Sequence, residues 1–71
     1  MKPNDVINKA RNAAKEWSAL HPGREESDSV LWEEFSKAVP RRERAPGDDV
    51  IFKATFRAVL AKLRAERRGA A

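Results

Sequence analysis

The residues with the clearest chemical potential are seven basic side chains in the C-terminal half of the chain. Three belong to a loop, and the other four share one side of the helix predicted after it. The set is Arg41, Arg42, Arg44, Lys53, Arg57, Arg64 and Arg68. Positive side chains on one surface bind nucleic-acid phosphates without requiring a particular motif. The pattern therefore predicts contacts between this half of the chain and a phosphate backbone.

The distribution of charge favours the same interpretation. Within the net charge of +4, residues 1–39 contribute −1 (six basic, seven acidic) and residues 40–71 contribute +5 (nine basic, four acidic). Such asymmetry is typical of chains with a polyanionic partner. The alternative is a solvated helix face, because charged residues keep a small helical protein in solution and cations near a helix C-terminus interact favourably with its dipole.

A second candidate surface lies on the same predicted helix. Small or apolar residues recur there at spacings of three and four: Ile51, Ala54, Ala58, Ala61 and Ala65. Small side chains allow another helix to approach closely, although alanine also simply favours helix formation. Together with Trp32, should that ring be exposed, this alanine face predicts a protein interface. The partner would be an acidic protein or a second copy of the chain in a homodimer.

Other kinds of site are not expected. The chain has no cysteine and a single histidine, His21, which excludes a thiolate metal site and argues against zinc. Its three glycines are isolated, so there is no phosphate-binding loop. The neighbouring carboxylates of 25–26 and 33–34 diverge, and no apolar pocket is predicted around them. We expect a binding protein rather than an enzyme, with no cofactor, metal ion or small-molecule substrate.

The pattern also argues against two familiar kinds of nucleic-acid reader. About nine residues separate the second and third predicted helices, whereas a helix-turn-helix motif uses a turn of about three or four. We expect all aromatic residues on or beside core faces and none among the arginines, where a base-stacking platform would need one. The predicted contacts would position a duplex without reading its sequence.

Proline and glycine divide the chain into three helical patterns. The predicted helices span about 5–20, 30–39 and 49–67, in a single all-α three-helix domain of residues 1–71 with short loops. Asn4, Asp28 or Ser29, and Asp48 are the expected caps, and residues 67–71 are expected to fray. The predicted core is Val6, Ile7, Ala10, Ala13, Trp17, Leu20, Leu31, Phe35, Phe52, Phe56, Val59 and Leu63.

The sequence also carries an expectation about location. It has no run of roughly 20 apolar residues, as a membrane-spanning helix requires, and no apolar stretch at the N-terminus like that of a signal peptide. We therefore expect a cytoplasmic protein that does not associate with membranes.

Overall fold

The computed structural model describes residues 2–69 and contains three α-helices among them. They are α1 (Pro3–Leu20), α2 (Asp28–Ala38) and α3 (Asp48–Gly69), with a single 3₁₀ turn at Arg41–Glu43 between α2 and α3. This architecture confirms the predicted all-α three-helix domain. None of these helices within residues 2–69 is both long and apolar enough to cross a membrane.

α1 begins two residues before the predicted start. Its N-cap is Lys2, whose backbone is extended, so the prediction of Asn4 as cap is wrong. Pro3 occupies the first turn, where its missing amide hydrogen would have had no helical partner. The helix ends at Leu20, as expected, because Pro22 disfavours helical backbone at His21.

α2 also begins two residues early, because its cap is Ser27 rather than Asp28 or Ser29. The Ser27 hydroxyl accepts a hydrogen bond from the Val30 amide at 3.3 Å, which satisfies one of the unpaired donors of the first turn. The helix ends at Ala38, two residues before Pro40.

α3 begins after a tight turn that Asp48 closes. Gly47 has a φ of +89°, which suits the third position of a type II turn preceded by proline. The Asp48 amide donates to the Ala45 carbonyl at 3.1 Å, and the buried Asp48 carboxylate accepts from the Ala45 amide at 2.8 Å. The helix continues through Gly69, two residues beyond the predicted end, and Ala70 and Ala71 lie outside the described residues. The expected fraying of residues 67–71 stays a prediction.

One face of each helix contributes to a single core. Four aromatic rings are central to it: Phe52 meets Phe35 edge-on at 5.4 Å between centroids and stacks on Phe56 at 6.0 Å, and Phe56 lies 6.1 Å from Trp17. These contacts connect all three helices. The buried apolar residues are Val6, Ala10, Ala14, Trp17, Leu31, Phe35, Val39, Phe52, Phe56 and Leu60.

The predicted core is wrong at its edges. Leu20 is 76% exposed, because it lies on the last turn of α1, beyond Trp17. The fully buried row on α3 continues to Leu60, so Val59 and Leu63 are only partly buried. A broad apolar stripe predicts which side of a helix is inside, but it leaves the rotation of that helix open by tens of degrees. For the same reason Ile7 and Ala13 are partly buried, while Ala14 and Val39 are fully buried.

Candidate functional site

Two of the predicted phosphate-binding residues on α3 are engaged by acidic residues of the same chain. Arg57 donates from Nη2 to Oδ1 of Asp28 at 2.8 Å. Arg64 donates from Nη2 to the carbonyl oxygen of Arg24 at 2.7 Å and to Oε2 of Glu26 at 3.0 Å. Their role in phosphate binding stays a prediction, but these internal partners reduce the positive charge that they offer.

The course of the chain explains these ion pairs. Residues 24–28 pass along α3 from Arg64 to Arg57, and further on Phe35 reaches Phe52, so α2 runs antiparallel to α3. This arrangement places the acidic segment before α2 against the basic side of α3. Helical spacing within α3 carries no information about that segment.

Arg44 and Lys53 lie beside Trp32 instead. The Arg44 guanidinium carbon is 5.5 Å from the centroid of the Trp32 ring and 4.8 Å from that of Phe35, and its Nε donates to the Val39 carbonyl at 3.0 Å. Nζ of Lys53 is 5.9 Å from the Trp32 centroid. Trp32 itself is 50% exposed. We call Trp32, Arg44 and Lys53 the tryptophan surface.

The expectation that no aromatic residue lies among the arginines is therefore wrong for Trp32. Both cations are within the distance at which a cation interacts with an aromatic ring. One comes from the segment after α2 and the other from α3, so no single helical pattern could reveal the cluster. In the sequence, this cluster was indicated only by the position of Trp32 at the margin of the apolar stripe of α2.

The remaining predicted cations are exposed. Arg41 and Arg42 occupy the 3₁₀ turn, and Arg68 lies in the last turn of α3. Their side chains make no hydrogen bond or ion pair with any other residue in the 2–69 range. Arg41 and Arg42 lie close in sequence to Arg44, whereas Arg68 does not.

The predicted protein interface is uncovered in the described part of the chain. Ala54, Ala58, Ala61 and Ala65 are exposed, whereas Ile51 is half-buried and packs against the core. The association of two copies through this face stays a prediction.

A groove between α1 and α3 was missed by the sequence reasoning. It has a volume of about 820 Å³. Its lining residues come from both helices: Ile7, Arg11, Lys15, Thr55, Ala58, Val59, Lys62, Leu63 and Glu66. The residue pattern of either helix alone does not indicate a groove. Among the lining residues, only Ala58 belongs to a binding surface that was predicted from the sequence.

Residues 2–69 contain no cluster of three or more histidine or acidic side chains arranged to hold a metal ion. Every buried side-chain nitrogen or oxygen in the same range has a hydrogen-bond partner.

Comparison of the chain with protein-family models, with curated proteins and with solved structures finds no match.

Proposed function

We propose that this protein binds single-stranded nucleic acid, without catalysing a reaction, through the tryptophan surface. The observation that carries the proposal is a half-exposed Trp32 with two cations within cation–π range of its ring. An exposed indole offers a face on which a base can stack, and cations beside it offer partners for the flanking phosphates. This combination is the usual basis of single-strand binding without sequence preference.

Arg44 is well placed to bind a phosphate because its side chain is already held in position. Its Nε is occupied by the Val39 carbonyl, and its guanidinium lies against the Phe35 ring. The terminal nitrogens have no partner among residues 2–69, and a guanidinium presents them in a planar fork suited to phosphate oxygens. Prior ordering of Arg44 also reduces the entropy lost on binding.

Further cations lie close in sequence to Arg44. The exposed Arg41 and Arg42 occupy the 3₁₀ turn that precedes it and add positive charge to that segment. Arg68 lies about 22 Å along α3 from Lys53 at the usual rise per residue, so it belongs to a separate part of the molecule. We therefore leave Arg68 out of the proposed site.

The half-exposed ring favours single strands over duplexes. Bases in a duplex are stacked on one another and cannot reach a tryptophan on a protein surface, whereas bases of a single strand can.

The cytoplasm, where single-stranded nucleic acid is accessible, stays the expected location.

The test is fluorescence anisotropy of a short, labelled, mixed-sequence single strand, measured at low and at moderate salt. Trp32→Ala should weaken binding by about 1–3 kcal/mol, the usual contribution of one stacked base, and Trp32→Phe should retain part of it. Arg44→Ala should make the negative slope of log affinity against log salt shallower by about 0.7, because one phosphate contact is lost. Leu20→Ala, which removes a side chain that is 76% exposed at the end of α1, is the matched control and should bind like the wild type.

Either of two results with the single strand would contradict the proposal, and a duplex supplies a third test. One is wild-type binding weaker than roughly millimolar at low salt. The other is unchanged affinity in Trp32→Ala. A duplex of the same length that binds as tightly as the single strand would refute base stacking and leave only phosphate contacts.

A further inference from the structure

We infer that the groove between α1 and α3 binds an acidic amphipathic helix of a partner protein. This inference does not depend on the tryptophan surface, which is built from α2, α3 and the segment between them. It follows from the shape of the groove, the small residue in its wall and the charges at its rim.

The floor of the groove is apolar and only partly covered. Ile7, Val59 and Leu63 are half-buried, so each leaves apolar surface open along the groove. The lining residues of α3 extend from Thr55 to Glu66, which corresponds to about 16 Å of helix at the usual rise. That length matches about three turns of a docked helix, with apolar side chains at positions i, i+3 or i+4, and i+7.

Ala58 makes the wall of the groove low. It is exposed and lies in the lining of the groove and on the predicted alanine face. Because the distance between packed helices depends on the side chains at their contact, a methyl group here allows a partner helix to approach closely.

The charge at the rim indicates the kind of partner. Arg11 and Lys15 on α1 and Lys62 on α3 are exposed, and none of them forms an ion pair with another described residue. Glu66 is the one acidic residue of the lining, so three cations and one carboxylate leave a net charge of +2. Unpaired cations around an apolar floor complement a helix whose apolar seam is flanked by glutamate or aspartate.

The same observations disfavour two other occupants. A second copy of this chain carries a net charge of +4 and would bring like charges towards the rim. Nucleic acid does not require an apolar floor, and the lining contains no aromatic ring on which a base could stack.

The experiment titrates the isotope-labelled full-length protein with two designed helical peptides and follows backbone amide signals by NMR. Both peptides have the same leucine seam, flanked by glutamates in one and by lysines in the other. The acidic peptide should shift the signals of Ile7, Ala58, Val59 and Leu63, and it should bind at least about tenfold more tightly than the basic peptide.

Two substitutions on one helix provide the matched comparison. Ala58→Glu places a bulky negative charge inside the groove and should weaken the acidic peptide at least about tenfold. Ala54→Glu makes the same change at an exposed alanine outside the lining and should have little effect. The double substitution Lys15→Glu and Lys62→Glu should reverse the preference between the peptides, because it reverses the charge of the rim.

Several outcomes would overturn the inference: no shift with the acidic peptide at millimolar concentration, equal binding of the basic peptide, or equal effects of Ala58→Glu and Ala54→Glu. A dimer that Ala58→Glu dissolves would identify a second copy as the occupant. Loss of oligonucleotide binding in Ala58→Glu would identify nucleic acid. Trp32→Ala should leave peptide binding unchanged, which separates this test from that of the proposed function.

Discussion

Cations lie along both sides of α3, but they have different surroundings. On the side that faces α2, Arg57 and Arg64 are paired with acidic residues of the segment that leads into that helix. On the groove side, Lys62 and the neighbouring Arg11 and Lys15 have no ion-pair partner in the described chain. The positive charge that a helix offers to a partner thus depends on whether the rest of the chain supplies an acidic residue beside it.

The apolar residues of α3 show the same contrast. Phe52 is fully buried among aromatic rings from α2 and α3, whereas Leu63 is half-buried at the groove. Phe52 is therefore enclosed by the core, whereas the groove side of α3 keeps part of its apolar surface exposed. Substitutions matched across the two sides can test this division.

The largest effect is expected for Phe52→Ala. Loss of a fully buried ring costs about 3–5 kcal/mol, which is comparable to the whole stability of a domain of this size. We expect this variant to be unfolded at 25 °C by circular dichroism. Leu63→Ala should cost about 1 kcal/mol, because its side chain already contacts solvent. Equal losses at the two positions would refute the contrast.

A smaller effect is expected at the start of α3. The buried Asp48 carboxylate accepts the Ala45 amide, so Asp48→Ala leaves that donor without its partner and should lower the free energy of unfolding by about 1–2 kcal/mol. Asp49→Ala, one residue further on, removes only an acidic residue of the first turn and should cost about 0.5 kcal/mol. Urea denaturation measures both, and a larger loss for Asp49→Ala would show that the turn does not depend on Asp48.

The smallest effect on the free energy of unfolding is expected when a cation with an ion-pair partner is compared with one that has none among the described residues. Arg64 and Glu26 are partly buried, with side chains 35% and 15% exposed, so Arg64→Ala should cost about 1 kcal/mol after allowance for solvent screening. Lys62→Ala should change stability by less than about 0.5 kcal/mol, because Lys62 forms no ion pair with any residue of the 2–69 range. Thermal denaturation at low and high salt compares them, and a salt-dependent loss in Lys62→Ala alone would contradict the assignment of paired and unpaired sides.

Local features of the fold could be predicted with fair success. Proline and glycine placed the three helices, and four-residue spacing identified Phe52 and Phe56 as core residues of α3. Helix starts were less accurate, since Ser27 was one of several neighbouring residues able to cap α2. The rotation of α3 was also missed, as fully buried Leu60 and partly buried Val59 show, because rotation depends on how the three apolar stripes fit together.

The helical class, the approximate limits of the helices and the excess of positive charge after residue 39 follow from the order of the amino acids, because these depend on residues near one another in the chain. The packing of the three helices, by contrast, pairs Arg57 and Arg64 with acidic residues, places Trp32 beside Arg44 and Lys53, and forms the groove between α1 and α3. Each of these arises where segments distant in sequence pack together, and helical periodicity carries no information about the neighbour that a side chain will meet.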